Sequence, residues 1–114
     1  MAVNKNEFLD FAKNLPGDSE INNRNAVSRA YYAAYHTCLE KFSPAQSAAG
    51  GVHAKLIDGL IKSPSSADRQ IGYILKDIKD RRTISDYFLA EEVTLADRQK
   101  AVISTEKLIA LVDN

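Results

Sequence analysis

The chain has 114 residues, 15 basic and 15 acidic side chains, two histidines, one cysteine and no tryptophan. This length predicts one domain spanning 1–114 that buries a core unaided, while a lone Cys38 excludes an intrachain disulfide and two histidines with it are too few for a Cys/His zinc site. Zero formal net charge argues against a strongly electrostatic nucleic-acid binder and leaves room only for a local basic patch.

No run approaches roughly 18 apolar residues, and none near the amino terminus resembles a signal peptide, so a cytoplasmic protein that avoids the membrane is expected. Glycine and proline divide the chain: Pro16-Gly17, Pro44, Gly50-Gly51 and Pro64 mark breaks, with helical periodicity between them. A first helix is predicted over about Asn4 to Leu15, with Phe8, Phe11, Ala12 and Leu15 on one side. Asp18 or Ser19 caps a second, which runs to about Phe42. The stretch SPAQSAAGG reads as a loop and the most mobile part of the chain. A short third helix carries Leu56, Ile57, Leu60 and Ile61. The fourth runs from about Ala67 to Leu89. Thr94 and Asp97 form a weak capping box for the fifth, in which Leu95, Val102 and Ile109 recur every seven residues. No segment alternates as a strand would. The expected fold is all-α, a bundle of four main helices plus one shorter helix.

The second helix contains SRAYYAAYH, residues 28 to 36. At helical spacing Tyr31, Tyr35, Cys38, Leu39 and Phe42 group with Ser28 as the core-facing stripe, where Cys38 behaves as a small hydrophobe. Asn25, Arg29, His36 and Glu40 form an adjoining polar stripe, and Tyr32 lies between the two. Ala26, Ala30, Ala33 and Ala34 cover much of the rest, where another helix or a symmetry mate approaches closely. The tyrosines supply apolar bulk with a polar tip. His36 reads either as a packed histidine bonded to Glu40 or as part of a site.

On the fourth helix Ile71, Leu75, Ile78 and Leu89 fall on one stripe, and so do Arg82 and Asp86. An arginine in an apolar seam is costly unless a carboxylate satisfies it, and a pair four residues apart meets side by side. The two are therefore a structural ion pair or a site. Lys76 and Asp80 point away with the spacing of a solvated pair, while Lys79 and Arg81 lie near the edges. Tyr73, Ile84 and Tyr87 share the far, mixed face.

SRAYYAAYH on a long helix, His53 opening a short helix after a loop, and Arg82-Thr-Ile-Ser-Asp86-Tyr87 on a late helix together resemble the HEPN domain family. The similarity is to its single-domain prokaryotic branch, and it runs from the first helix to Ile109. The resemblance implies a helical bundle that commonly dimerises through its late helices. It implies either a metal-independent endoribonuclease of toxin–antitoxin, phage-defence or RNA-processing type, or a non-catalytic module that binds a nucleotide, RNA or a partner. Arg82 matches the arginine of the family's ribonuclease motif. The motif's histidine is absent, because the corresponding positions hold Tyr87, Phe88 and Leu89.

Metal-free RNA cleavage needs a base for the 2′-hydroxyl, an acid for the departing 5′-oxygen and positive charge on the phosphate. The resemblance puts Arg82, Asp86 and Tyr87 in the catalytic set and Arg29, Tyr32, His36 and His53 in the binding set, with neither metal nor other cofactor. With the motif histidine missing, His36, His53 or a desolvated Asp86 would take the proton transfers. The implied partners are a second copy of the chain, RNA or a nucleotide, and an antitoxin. In some family pairs that antitoxin is a nucleotidyltransferase that adenylylates a tyrosine, and Tyr87 occupies the matching place.

Overall fold

A computed structural model describes residues 3–17, 19–42 and 51–113. They form five helices, α1 (Lys5–Asn14), α2 (Glu20–Lys41), α3 (Val52–Ile61), α4 (Ser66–Tyr87) and α5 (Leu95–Asp113). Among the described residues no strand forms, and no helix is long and apolar enough to cross a membrane. Asp18 and residues 43–50 of the expected loop lie outside the described residues.

Local chemistry sets most of the helix starts. Asn4 accepts from the Asn6 and Glu7 amides while the Glu7 carboxylate accepts from the Asn4 amide, a complete capping box. Ser19 and Ser65 cap α2 and α4, each hydroxyl oxygen accepting an amide at 3.3 Å. The Thr94–Asp97 box of α5 is closed in both directions, at 3.1 and 2.9 Å. Helix α1 stops at Leu15, which is extended because Pro16 follows. It is therefore only 10 residues long, the same as α3, against 22, 22 and 19 for α2, α4 and α5. The bundle has three long helices and two short ones, not four main helices and one short.

Helix α2 contacts all four others and is the axis of the fold. Its alanine faces meet helices of the same chain. Ala26 and Ala30 pack with Ala12 of α1 and Val102 of α5, and the Thr105 hydroxyl donates to the Ala30 carbonyl at 3.2 Å. Side chains this small let the neighbours come close. On the opposite side Tyr31, Tyr35 and Cys38 enter the main core with Leu56 and Leu60 of α3, Leu75 and Ile78 of α4, and Leu108 of α5. Burial pushes the Cys38 thiol up to about 12, as suits a packed hydrophobe. Gly72 lets α3 lie against α4, since a Cβ there would stand 2.8 Å from Leu60 Cβ.

Four expectations about faces need correction. Leu89 lies beyond the end of α4 and is 77% exposed, because the helix ends at Tyr87 and the chain turns away. Phe11 is 54% exposed: α1 is covered along the Ala12 line, and Phe11 projects past its edge. Leu39 is likewise exposed. On α5 the buried line is Arg98, Ala101, Thr105, Leu108 and Val112. The Leu95–Val102–Ile109 repeat lies beside it, half-buried or exposed, because small and polar side chains made the true inner face invisible to a hydrophobicity pattern.

Two buried arginines hold the ends of helices. Arg24 of α2 donates to the Ser85 carbonyl at 2.9 Å and to those of Ile84 and Phe88 at 3.3 Å, reaches the Leu89 and Glu91 carbonyls, and pairs through Nε with Glu20 at 2.9 Å. Arg98 of α5 does the same for α1, donating to the carbonyls of Ala12 at 2.9 Å, Pro16 at 3.0 Å and Leu15. A cation at a helix carboxy terminus satisfies carbonyls that have no intrahelical partner and complements the helix dipole.

Candidate functional site

The site is built on one ring. Tyr32 sits on α2 between the core stripe and the polar stripe, half-buried. The Arg29 guanidinium lies 4.9 Å from its ring centroid and that of Arg82 5.4 Å away, with Arg82 Nη2 donating to the Tyr32 hydroxyl at 3.0 Å. The rings of His53 and His36 stand at 6.1 and 6.3 Å from the same centroid. Cations near aromatic faces and edges are attracted by the ring quadrupole, more strongly where water is excluded. The α2 turn between residues 29 and 36, the start of α3 and the last turns of α4 thus bring together residues up to 53 positions apart in the chain.

Arg82 is 17% exposed at its side chain and Asp86 27%, so the apolar-seam reading of this pair holds for Arg82 and loosens towards Asp86. Arg82 Nε lies 2.9 Å from Asp86 Oδ2, but its N–H is not aimed at that oxygen and makes no hydrogen bond. The contact is an ion pair of favourable distance and imperfect direction. Asp86 also accepts from the Ser28 hydroxyl at 3.2 Å, and Ser28 in turn accepts from Arg29 Nη2 at 3.3 Å. Tyr87, at the end of α4, is 67% exposed with its ring 5.6 Å from the Arg82 guanidinium. The neighbouring charges behave as spaced: Lys76 pairs with Asp80 and Arg81 with Asp77, each at 3.1 Å.

The histidines differ. His53 stacks on Tyr35 at 4.0 Å between ring centroids, and its Nδ1 is hydrogen-bonded to the Tyr31 hydroxyl. Tyr31 has no exposed surface, and burial raises its pKa, so the hydroxyl keeps its proton. Among the described residues His53 Nδ1 is the only partner for that proton. Tyr31 therefore donates, which assigns the neutral tautomer with the proton on His53 Nε2. Burial, then the charges of Arg82 and Lys79 and the proximity of His36, lower the pKa of His53. His36 stacks on Phe8 at 5.6 Å and makes no hydrogen bond to the described residues. The expected His36–Glu40 bond does not form, because Lys5 takes the Glu40 carboxylate at 3.2 Å.

A stability test follows from the His53 environment. Its folded pKa lies below the unfolded value of 6.5, so from about pH 6.5 downward the unfolded chain binds a proton that the folded one refuses. This group costs no stability above that pH, destabilises progressively below it, and adds no further slope below its folded pKa. Urea midpoints for the wild type should fall from pH 7.5 to 5 more steeply than for His53→Gln. Parallel curves would mean that the imidazole is not held neutral.

No protein-family model, curated protein or solved structure matches this chain.

The chemistry of the cluster must therefore be read from its geometry. All seven residues singled out in the sequence, Arg29, Tyr32, His36, His53, Arg82, Asp86 and Tyr87, lie in it or against it. Sequence reasoning missed Phe8, which backs His36 and Arg29 from α1, and the role of Tyr31 in fixing the His53 tautomer. It had no signal for the first, since Phe8 looks like any core residue of a short helix. Among the described residues no three His, Cys, Asp or Glu side chains gather as a metal site would require. A concavity of 170 Å³ between the end of α4 and the start of α5 does not include Arg82, whereas a shallow groove of 290 Å³ adjoins the cluster through Arg29. A charged, aromatic face without a deep pocket suits an extended ligand better than an enclosed small molecule.

Proposed function

We propose that the protein is a HEPN-like endoribonuclease that cuts single-stranded RNA without a metal ion. What carries this reading is the gathering of two guanidinium groups and two imidazoles around Tyr32, which brings histidines to the ring that Arg82 engages although its own motif has none. Arg82 and the Nε2–H of neutral His53 bind the phosphoryl oxygens, where negative charge grows as the reaction proceeds. His36 takes the proton of the 2′-hydroxyl, whose oxygen then bonds to phosphorus. The bond from phosphorus to the 5′-oxygen breaks, and the leaving oxygen receives that proton back from His36. Asp86 positions Arg82 through the ion pair, and Arg29 holds a neighbouring phosphate.

The exposed apolar end of α4, formed by Ile84, Tyr87, Phe88 and Leu89, supports a homodimer in which a second Arg82 approaches the same strand. The exposure of Tyr87 beside Arg82 also suits control by a modifying antitoxin such as a nucleotidyltransferase. Incubated with single-stranded RNA in EDTA, the purified protein should produce 2′,3′-cyclic phosphate and 5′-hydroxyl ends. A second reading, a non-catalytic module that binds RNA or a nucleotide, is favoured by the tight engagement of Arg82 with Asp86 and Tyr32. RNA that is bound yet remains intact at high enzyme concentration would decide for it.

A further inference from the structure

The 290 Å³ groove between α1 and Arg29 has almost wholly apolar walls, formed by Val3, Phe8 and Phe11 with the Arg29 stem and Glu7 at the sides. Two observations distinguish it from an ordinary exposed apolar patch. The Arg29 guanidinium lies 5.9 Å from the Phe8 ring centroid and 4.9 Å from that of Tyr32, so a cation bridges the groove to the Arg82 cluster. Glu7, the one acidic group in the wall, has its carboxylate engaged by the Asn4 amide at 2.6 Å and belongs to the α1 capping box. The groove thus offers an exposed aromatic ring, Phe11, with a planar cation at its rim on the Tyr32 side, while its acidic group belongs to the α1 cap. Phe11 is 54% exposed.

We infer that this groove is a subsite for one unpaired nucleobase, stacked on Phe11 and flanked by the Arg29 guanidinium, on the strand whose phosphate lies at Arg82. A base has an apolar face and a negatively charged phosphate attached through its sugar, and the groove with its cationic rim presents the complementary pair. Stacking on neighbouring base pairs would bury that face in a duplex, so the subsite selects single strands. The inference rests on the RNA-cutting reading for the identity of the strand, although a free nucleotide has the same base-and-phosphate chemistry.

The absence of tryptophan makes the test direct. Phe11→Trp places a single indole in the groove at a position exposed enough to accept it, and circular dichroism checks the fold. A 2′-O-methyl oligoadenylate of about 12 nucleotides lacks the attacking hydroxyl and is long enough to fill such a face. It should quench the indole saturably, an abasic oligomer of equal length should not, and Phe11→Ala should weaken oligoadenylate binding about tenfold. Quenching by AMP with no binding or cutting of RNA would keep the base subsite and overturn the RNA reading. RNA cutting that Phe11→Ala leaves unchanged, with an indole signal indifferent to saturating RNA, would overturn the subsite and keep the RNA reading.

Discussion

Arg82→Ala is expected to slow RNA cleavage by roughly a hundred- to a thousandfold, the usual cost of removing a positioned charge donor from a developing oxyanion. Three features make Arg82 the most sensitive position. Its guanidinium is partly shielded from water, so its charge acts at a lower effective dielectric than a surface arginine. The Tyr32 hydroxyl bond and the Asp86 contact hold it in place before substrate arrives. Among the described residues no other cation donates to the Tyr32 hydroxyl. Arg82→Lys retains the charge but loses the planar fork, so it should recover only part of the rate. Cleavage would be followed in EDTA alongside thermal melting, because truncation also leaves Asp86 without its cation. Wild-type cleavage by Arg82→Ala would remove the basis for the proposed chemistry, whereas loss of cleavage in a protein that melts normally would support it.

Arg24→Met should destabilise the fold by about 1–3 kcal/mol, the cost of leaving a buried carbonyl without its charged donor, because the carboxylate partner, Glu20, stays solvated. Methionine roughly fills the space but leaves the buried Ser85 carbonyl without its donor, whereas the carbonyls of Ile84 and Phe88 keep the amides of Phe88 and Glu91. A buried carbonyl stripped of its partner costs about 1–3 kcal/mol unless water reaches it. The loss is a large fraction of the roughly 5–15 kcal/mol that typically separates folded from unfolded domains. Urea denaturation measures it, and a change below about 1 kcal/mol would mean that water replaces the guanidinium without penalty. The consequence reaches the site, because Arg24 holds the last turn of α4 just beyond Asp86 and next to Tyr87. A variant that stays folded should therefore still show a looser Arg82–Asp86 pair and weaker RNA binding.

Much of the secondary structure was legible in the residues. Caps at Ser19 and Thr94 and the proline after Leu15 act over three or four positions, so the chain order alone reveals them. The stripe of Ile71, Leu75 and Ile78 was legible for the same reason, as was the inclusion of Arg82 in it. The ends and edges were not. Leu89 continues the period of α4 on paper, yet the helix stops two residues earlier because Arg24, from a different helix, satisfies carbonyls at that end. The inner face of α5 was hidden because Arg98 and Thr105 are buried for the hydrogen bonds they make across the bundle, which hydrophobic periodicity does not register.

The candidate site divides along the same line. Side-by-side placement of Arg82 and Asp86 follows from four-residue spacing on any helix, and the common face of Arg29, Tyr32 and His36 follows from the turn of α2. Both were determined by the sequence by itself. That His53 reaches Tyr31, that Lys5 takes Glu40 away from His36, and that Phe8 backs the polar stripe were decided only by the tertiary structure. These contacts join helices whose relative position depends on how alanine faces, Gly72 and two buried arginines let the bundle close, and no local spacing encodes that distance.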